Sequence, residues 1–199
     1  MSQEVRKDQF LQAIAADSDE VVEEVAYRLL PNDEEWLIHL VQTGDANQRW
    51  WAARALALCG STACLPALTE RLTETDAGVR AAALLALAHL HTLLSAEEFG
   101  PLFSPMANCL ADDEGYVRQA ATDAMALCGD DAVDALARVL AGEHDGARTR
   151  ATASLRKIAT TKAAAVLYQH LNDPNYLVRS YAYEALDEMG LLENQLLIL

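Results

Sequence analysis

Five histidines, four cysteines and 30 acidic residues are the side chains in this 199-residue sequence that could ligate a metal or move a proton. Their spacing argues against both. Cys59, Cys64, Cys109 and Cys128 form no C-x-x-C pair, the close spacing that structural zinc sites use, and read as small core residues. His89 and His91 lie two apart near a helix end, so they diverge by about 200° and do not chelate jointly. His39 and His170 fall on helices where a hydrogen-bonded histidine is ordinary. No Gly-rich phosphate loop, G-x-S-x-G elbow or H-E-x-x-H zinc signature occurs. The expectation is a protein with no catalytic residue, no metal and no cofactor.

Recognition is the chemistry that remains. Two of the three tryptophans stand side by side in QRWWAARALALCG, residues 48–60, followed by Arg54. An exposed tryptophan anchors interfaces out of proportion to its number. Which of the two is exposed depends on the elements that carry them.

Those elements are repeats. Five segments align on Arg49, Arg80, Arg118, Arg148 and Arg179. Each has Ala three residues later, a small residue six later and Leu or Met seven later, as in Ala52, Ala55, Leu56 and Ala182, Ala185, Leu186. A degenerate sixth copy has Val22 in the Arg position and Leu29 in the Leu position. Upstream run pairs four apart, one face of a helix: Phe10/Ile14, Leu37/Val41, Leu68/Leu72, Met106/Leu110, Leu136/Leu140 and Leu167/Leu171. Asp45, Asp76, Asp113, Asp145 and Asn175 are placed to cap the second helix of each pair, and Gly60, Gly129 and Gly190 to stop it in a left-handed cap. Anchors at 22, 49, 80, 118, 148 and 179 are spaced by 27, 31, 38, 30 and 31 residues, the period of a helical hairpin. Such a hairpin cannot bury its own apolar face, so the copies must stack. The long spacing holds HTLLSAEEFGPLFSP with two prolines, an expected loop insertion or kink.

The pattern D-x-x-V-R-x-x-A-x-x-A-L-x-x-x-G, clearest in DAGVRAAALLAL and NYLVRSYAYEALDEMG, resembles the short HEAT-like repeats named after phycocyanobilin lyases. The resemblance covers roughly residues 8–190 and implies an all-α fold: a right-handed α-solenoid of about six stacked helical hairpins. One domain over 1–199 is expected, with copies at about 4–31, 32–60, 61–91, 95–129, 130–159 and 161–190 and a capping tail at 191–199. It also implies that the second helices line the concave surface. Numbering from the residue before each Arg at 100° per residue, positions zero, four, seven, eight and eleven face inward and positions two, six and nine face the groove. Trp51, at position three, then wedges between copies, and Trp50, at position two, projects into the groove. Tyr27 and Leu85 extend an apolar strip, Arg54 and Asp123 supply polar ends, and Gln119 and Glu184 complete the candidate surface. Deoxyhypusine hydroxylases, HEAT-like enzymes, bind iron through His-Glu pairs; here Glu143-His144 is reversed and no His precedes Glu.

A formal charge of −15 repels phosphate backbones and anionic headgroups, so neither nucleic acid nor membrane is an expected partner. The N-terminal MSQEVRKDQF lacks an apolar core of signal-peptide length and no stretch approaches the ~18 apolar residues of a membrane span, so a cytoplasmic location is expected. The arginine anchors are expected to be engaged internally with the acidic turns, leaving a surface that suits a basic partner. The functional expectation is a scaffold or adaptor that binds a partner protein, as monomer or weak homodimer. The alternative, from the resemblance, is a lyase- or chaperone-type subunit that handles a bilin or its carrier protein.

Overall fold

The structure, a computed structural model, describes residues 2–192, the side chain of Ala96 excepted. All regular structure among these residues is helical. Apart from Leu191 and Leu192, the expected tail lies outside the described residues. The chain divides into two compact units, Met1–Phe99 and Gly100–Leu199, with the boundary inside the HTLLSAEEFGPLFSP insertion.

In the first unit, α1 (Gln3–Ala15) pairs with α2 (Asp19–Ala26), α3 (Glu34–Thr43) with α4 (Ala46–Cys59), and α5 (Leu65–Glu70) with α6 (Ala77–His91). The second helices pack in the order α2, α4, α6, and α3 packs on α5, giving two helical layers. A short α7 (Ala96–Phe99) follows, started by Ser95, whose Oγ donates to Glu98 at 2.7 Å. The insertion is therefore helical turns rather than open loop, and it buries Phe99 edge-on against His91, with ring centroids 5.0 Å apart.

The second unit repeats the plan: α8 (Phe103–Asn108) with α9 (Gly115–Leu127), α10 (Val133–Leu140) with α11 (Asp145–Ile158), and α12 (Thr161–Gln169) with α13 (Tyr176–Glu188). Here α9, α11 and α13 form one layer and α8, α10 and α12 the other.

The repeat register explains the core. The small-residue and Leu/Met positions after each Arg are buried, among them Ala52, Ala55, Leu56, Ala83, Ala86, Leu87, Ala121, Ala124 and Met125. Alanine lets the second helices approach closely, and Leu or Met fills the space beneath them. The upstream pairs are buried with them, apart from Leu171, which lies past the end of α12 and is half-buried.

Local geometry corrects several expectations. In α2 the register is shifted by one: Val22, in the Arg position, is fully buried and Val21 is exposed. This copy has only an eight-residue second helix, entered through Asp17 at φ 51°. Asp45, Asp76 and Asn175 cap as expected, accepting from Gln48, Val79 and Leu177 backbone N–H groups. Asp113 and Asp145 do not cap. The N-cap residue of α9 is Glu114, without a side-chain bond, and that of α11 is His144, whose Nδ1 accepts from the Ala147 N–H at 3.0 Å.

Gly129 and Gly190 adopt the expected left-handed conformation, but Gly60 is extended, at φ −76° and ψ 161°. Gly60 is required for space instead. A Cβ there would lie 2.5 Å from the Leu56 carbonyl oxygen and 2.8 Å from the Cys64 Sγ.

Candidate interaction surface

The capping box that starts α4 fixes the first unit's surface. Asp45 accepts from the Gln48 N–H at 2.9 Å, and the Gln48 side chain accepts from the Asp45 N–H at 3.1 Å. Trp50 and Trp51 follow about 100° apart around the helix. Trp51 turns inward at 3% exposure, and Trp50 is half-buried. Their rings meet edge to face, with centroids 4.7 Å apart and planes at 87°. Trp50 does not stand free, because its indole lies over the start of α6. A Cβ added to Gly78 would be 3.5 Å from Trp50 Cδ1.

One turn further along, the Arg54 guanidinium carbon sits 4.8 Å from the Trp50 ring centroid and 5.5 Å from that of Trp51. It also donates to Glu23 of α2 at 2.7 Å. Helical spacing brings Trp50 and Arg54 together, since residues four apart share a face. Leu85 on α6 is 46% exposed, and Tyr27, which ends α2, is 75% exposed. The Arg54 partner on α2 is Glu23 rather than Tyr27. Glu23 stands 31 residues before Arg54, one repeat, and that interval was the available signal for the pair.

The polar candidates of the second unit are struts between neighbouring second helices. Asp123 on α9 accepts from Gln119 at 3.1 Å and pairs with Lys157 of α11. Arg150 of α11 donates to Gln119 at 3.3 Å. Arg156 of α11 reaches Glu184 of α13 at 2.5 Å and Glu188 at 2.9 Å. Burial works to raise the Asp123 pKa, but hydrogen bonds from Lys157 and Gln119 outweigh it and hold the group below the usual carboxylate range. A separate cavity of about 440 Å³ lies at the helix starts of this unit, lined by Asp112, Asp113, Arg118, His144, Thr149 and Leu177 among others.

The anchor arginines are engaged internally, as their position implied. Arg49 donates to the Gly44 carbonyl at 2.6 Å and to Glu74 at 3.3 Å. Arg80 donates to the Glu74 and Thr75 carbonyls, Arg118 to those of Asp112 and Asp113, and Arg179 to those of Asp173 and Pro174. Arg148 pairs with the Asp173 carboxylate. For both Glu74 and Asp173 burial raises the pKa. Bonds from Thr75 and Arg49 for the first, and from the Asn175 N–H, His170 and Arg148 for the second, bring it below the ordinary value.

A buried ion pair stands outside the repeat pattern: Arg6 of α1 pairs with Asp33 at 2.9 Å, and the Asp33 side chain is wholly buried. Asp33 also accepts from the Leu30 N–H at 2.9 Å.

Cys64, Cys109 and Cys128 are buried and Cys59 is half-buried, all as free thiols. Burial pushes the thiol pKa of Cys59 up to about 11 and those of Cys64 and Cys128 up to about 12. Among the described residues no group of three or more His, Cys, Asp or Glu side chains could hold a metal ion, and no helix is long and apolar enough to cross a membrane.

The family profile of HEAT repeats matches residues 7–88 and 103–187, most of the chain. The chain is a HEAT-repeat protein. The fold class read from the repeats, an all-α solenoid of HEAT hairpins, holds for it. No curated protein matches. Among solved structures, this HEAT-repeat chain is similar to Cex1p, at 17% identity and a TM-score of 0.57, covering 98% of this chain and 44% of that one. It is similar to an engineered protein of the Northeast Structural Genomics Consortium, at 21% identity and a TM-score of 0.50, covering 95% of this chain and 97% of the other. It is also similar to the complex of CpcE and CpcF of phycocyanin lyase from Nostoc sp. PCC7120, at 23% identity and a TM-score of 0.50, covering 78% and 64% of the two chains. At these identities the likeness concerns the fold.

Proposed function

We propose that this HEAT-repeat protein is a non-catalytic scaffold, and that the second-helix face of its first unit binds a partner protein. The observation that carries the reading is the placement of Tyr27, Trp50 and Leu85 on three successive second helices, where Tyr27 and Leu85 leave large apolar groups exposed beside charged ones. Second helices line the concave side in HEAT stacks, a surface suited to a helix or extended segment. The partner has a basic surface, matching the net negative charge. Arg54 belongs to this face, and Gln119, Asp123 and Glu184 form the polar counterpart on the second unit. The working place is the cytoplasm, a reading that the four free thiols support. The protein acts as a monomer or weak homodimer.

The test is affinity capture with the wild type beside a Tyr27→Ala, Leu85→Glu variant, both confirmed as folded by circular dichroism. A partner held by the wild type in a salt-dependent manner and lost by the variant supports the reading. A partner retained by both moves the site off this face. Capture of none overturns the scaffold role, and titration with a bilin, followed by absorbance, then examines the lyase-type alternative.

A further inference from the structure

The corner between α2 and α4 already holds a guanidinium. Trp50 and Trp51 stand at 87° to one another, the Arg54 carbon lies 4.8 and 5.5 Å from their ring centres, and Glu23 takes one of its N–H groups at 2.7 Å. Both distances are inside the ~6 Å reach of a cation–π contact. A planar guanidinium can stack on an indole and fork onto a carboxylate at once, which an ammonium cannot. The Arg54 and Glu23 side chains are 43% and 51% exposed, so the occupant is held by a solvated pair of the kind that contributes little to stability.

The surroundings favour cations. Residues 1–99 carry 16 Asp and Glu against 7 Lys and Arg. Five of those acids fall within residues 17–24, and among the described residues Asp17, Asp19 and Glu20 enter no ion pair.

We propose that the Glu23, Trp50 and Trp51 corner is a recognition site for an arginine side chain of the partner protein, and that Arg54 is its resident occupant in the free protein. The proposal rests on the protein-binding reading above and names the chemistry the partner brings: an arginine flanked by further basic residues. The exchange replaces like with like. Arg54 leaves for solvent, the incoming guanidinium takes its stack and its carboxylate, and neighbouring bases meet Asp17, Asp19 and Glu20.

The experiment titrates the full chain with an acetylated, amidated tetra-arginine peptide. Tetra-lysine and a tetrapeptide of citrulline, the uncharged isostere of arginine, serve as controls. Binding is followed by NMR of the Trp50 and Trp51 indole N–H and the Arg54 Nε–H. The expected result is saturable binding of the arginine peptide, with the Arg54 resonance moving to its solvent-exposed position, weaker binding of tetra-lysine and none of citrulline. Arg54→Ala, which removes the competitor, binds the arginine peptide about tenfold more tightly, and adding Glu23→Gln abolishes that gain. Equal affinity for arginine and lysine peptides, or an Arg54→Ala variant that is folded but no tighter than the wild type, overturns the proposal. If either occurs while Tyr27→Ala, Leu85→Glu still releases a captured partner, the corner falls and the scaffold reading stands. If that capture also fails, both fall.

Discussion

Replacing Asp33 with Ala removes the carboxylate that meets Arg6 Nε at 3.0 Å, Arg6 Nη2 at 2.9 Å and the Leu30 N–H at 2.9 Å. The Arg6 and Asp33 side chains are 7% and 0% exposed, so water does not take over the lost bonds. Breaking a buried ion pair from one side costs about 3–5 kcal/mol, because a charge remains in a low-dielectric site without its counter-charge. With a urea slope of about 2 kcal/mol/M, the unfolding midpoint of the first unit drops by roughly 2 M. The readout is selective, since Trp36, Trp50 and Trp51 all lie in the first unit and their fluorescence follows that unit alone. An Arg6→Met, Asp33→Leu variant, which removes both charges, should recover most of the loss. A loss under about 1 kcal/mol for Asp33→Ala, or a double variant no better than the single one, refutes the assignment of this pair as a buried stabilising contact.

Three further outcomes are expected. Gly60→Ala forces the backbone at Leu56 or the Cys64 side chain to shift and should lower stability by about 1–3 kcal/mol in the same fluorescence assay. Ala159→Gly relieves an alanine held at φ 51° and should raise the thermal midpoint of the second unit by a few degrees, read by circular dichroism. Glu74 and Asp173 have folded pKa values below the ordinary carboxylate range. Their stabilisation is present above the unfolded value of about 4 and is lost as pH falls through the folded value, so acid unfolding should shift towards neutral pH in Asp173→Asn.

The buried face of each second helix was legible because Ala, Ala and Leu recur at fixed distances from an arginine, and five copies reinforce one register. Where a copy lacks that anchor the register failed, as at Val21 and Val22. Caps were legible where a lone Asp or Asn precedes the helix. In Asp112-Asp113-Glu114 and Glu143-His144-Asp145 several acceptors compete within one residue of each other, and neither sequence nor propensity selects among them. Gly60 was recognised as special for the wrong reason: composition shows that a glycine is wanted, not whether φ or space demands it. Arg6 and Asp33 lie outside the repeat pattern, so their pairing across 27 residues leaves no periodic trace. In the candidate surface, the stacking of Arg54 on Trp50 follows from helical spacing, and Glu23 follows once the repeat interval is applied to charge as well as to hydrophobicity. The pairing of Asp123 with Lys157 and of Glu184 with Arg156 spans 34 and 28 residues, close to the same interval.

The arginine rungs give the array a direction. Arg49 of the second hairpin reaches forward to Glu74 in the turn of the third, and Arg148 of the fifth reaches forward to Asp173 in the turn of the sixth. In the last hairpin Arg179 is met by the carbonyls of its own turn, at 2.5 and 3.0 Å. Each such rung ties a copy to its successor through the arginine and to its predecessor through the carboxylate. Trimming the first copy takes Arg6 from the buried Asp33 of the second, and removing the sixth takes Asp173 from Arg148, which keeps only Asp145 at 3.9 Å. Designs that shorten such an array at either end should therefore also replace the charge left behind, Asp33 at one end and Arg148 at the other.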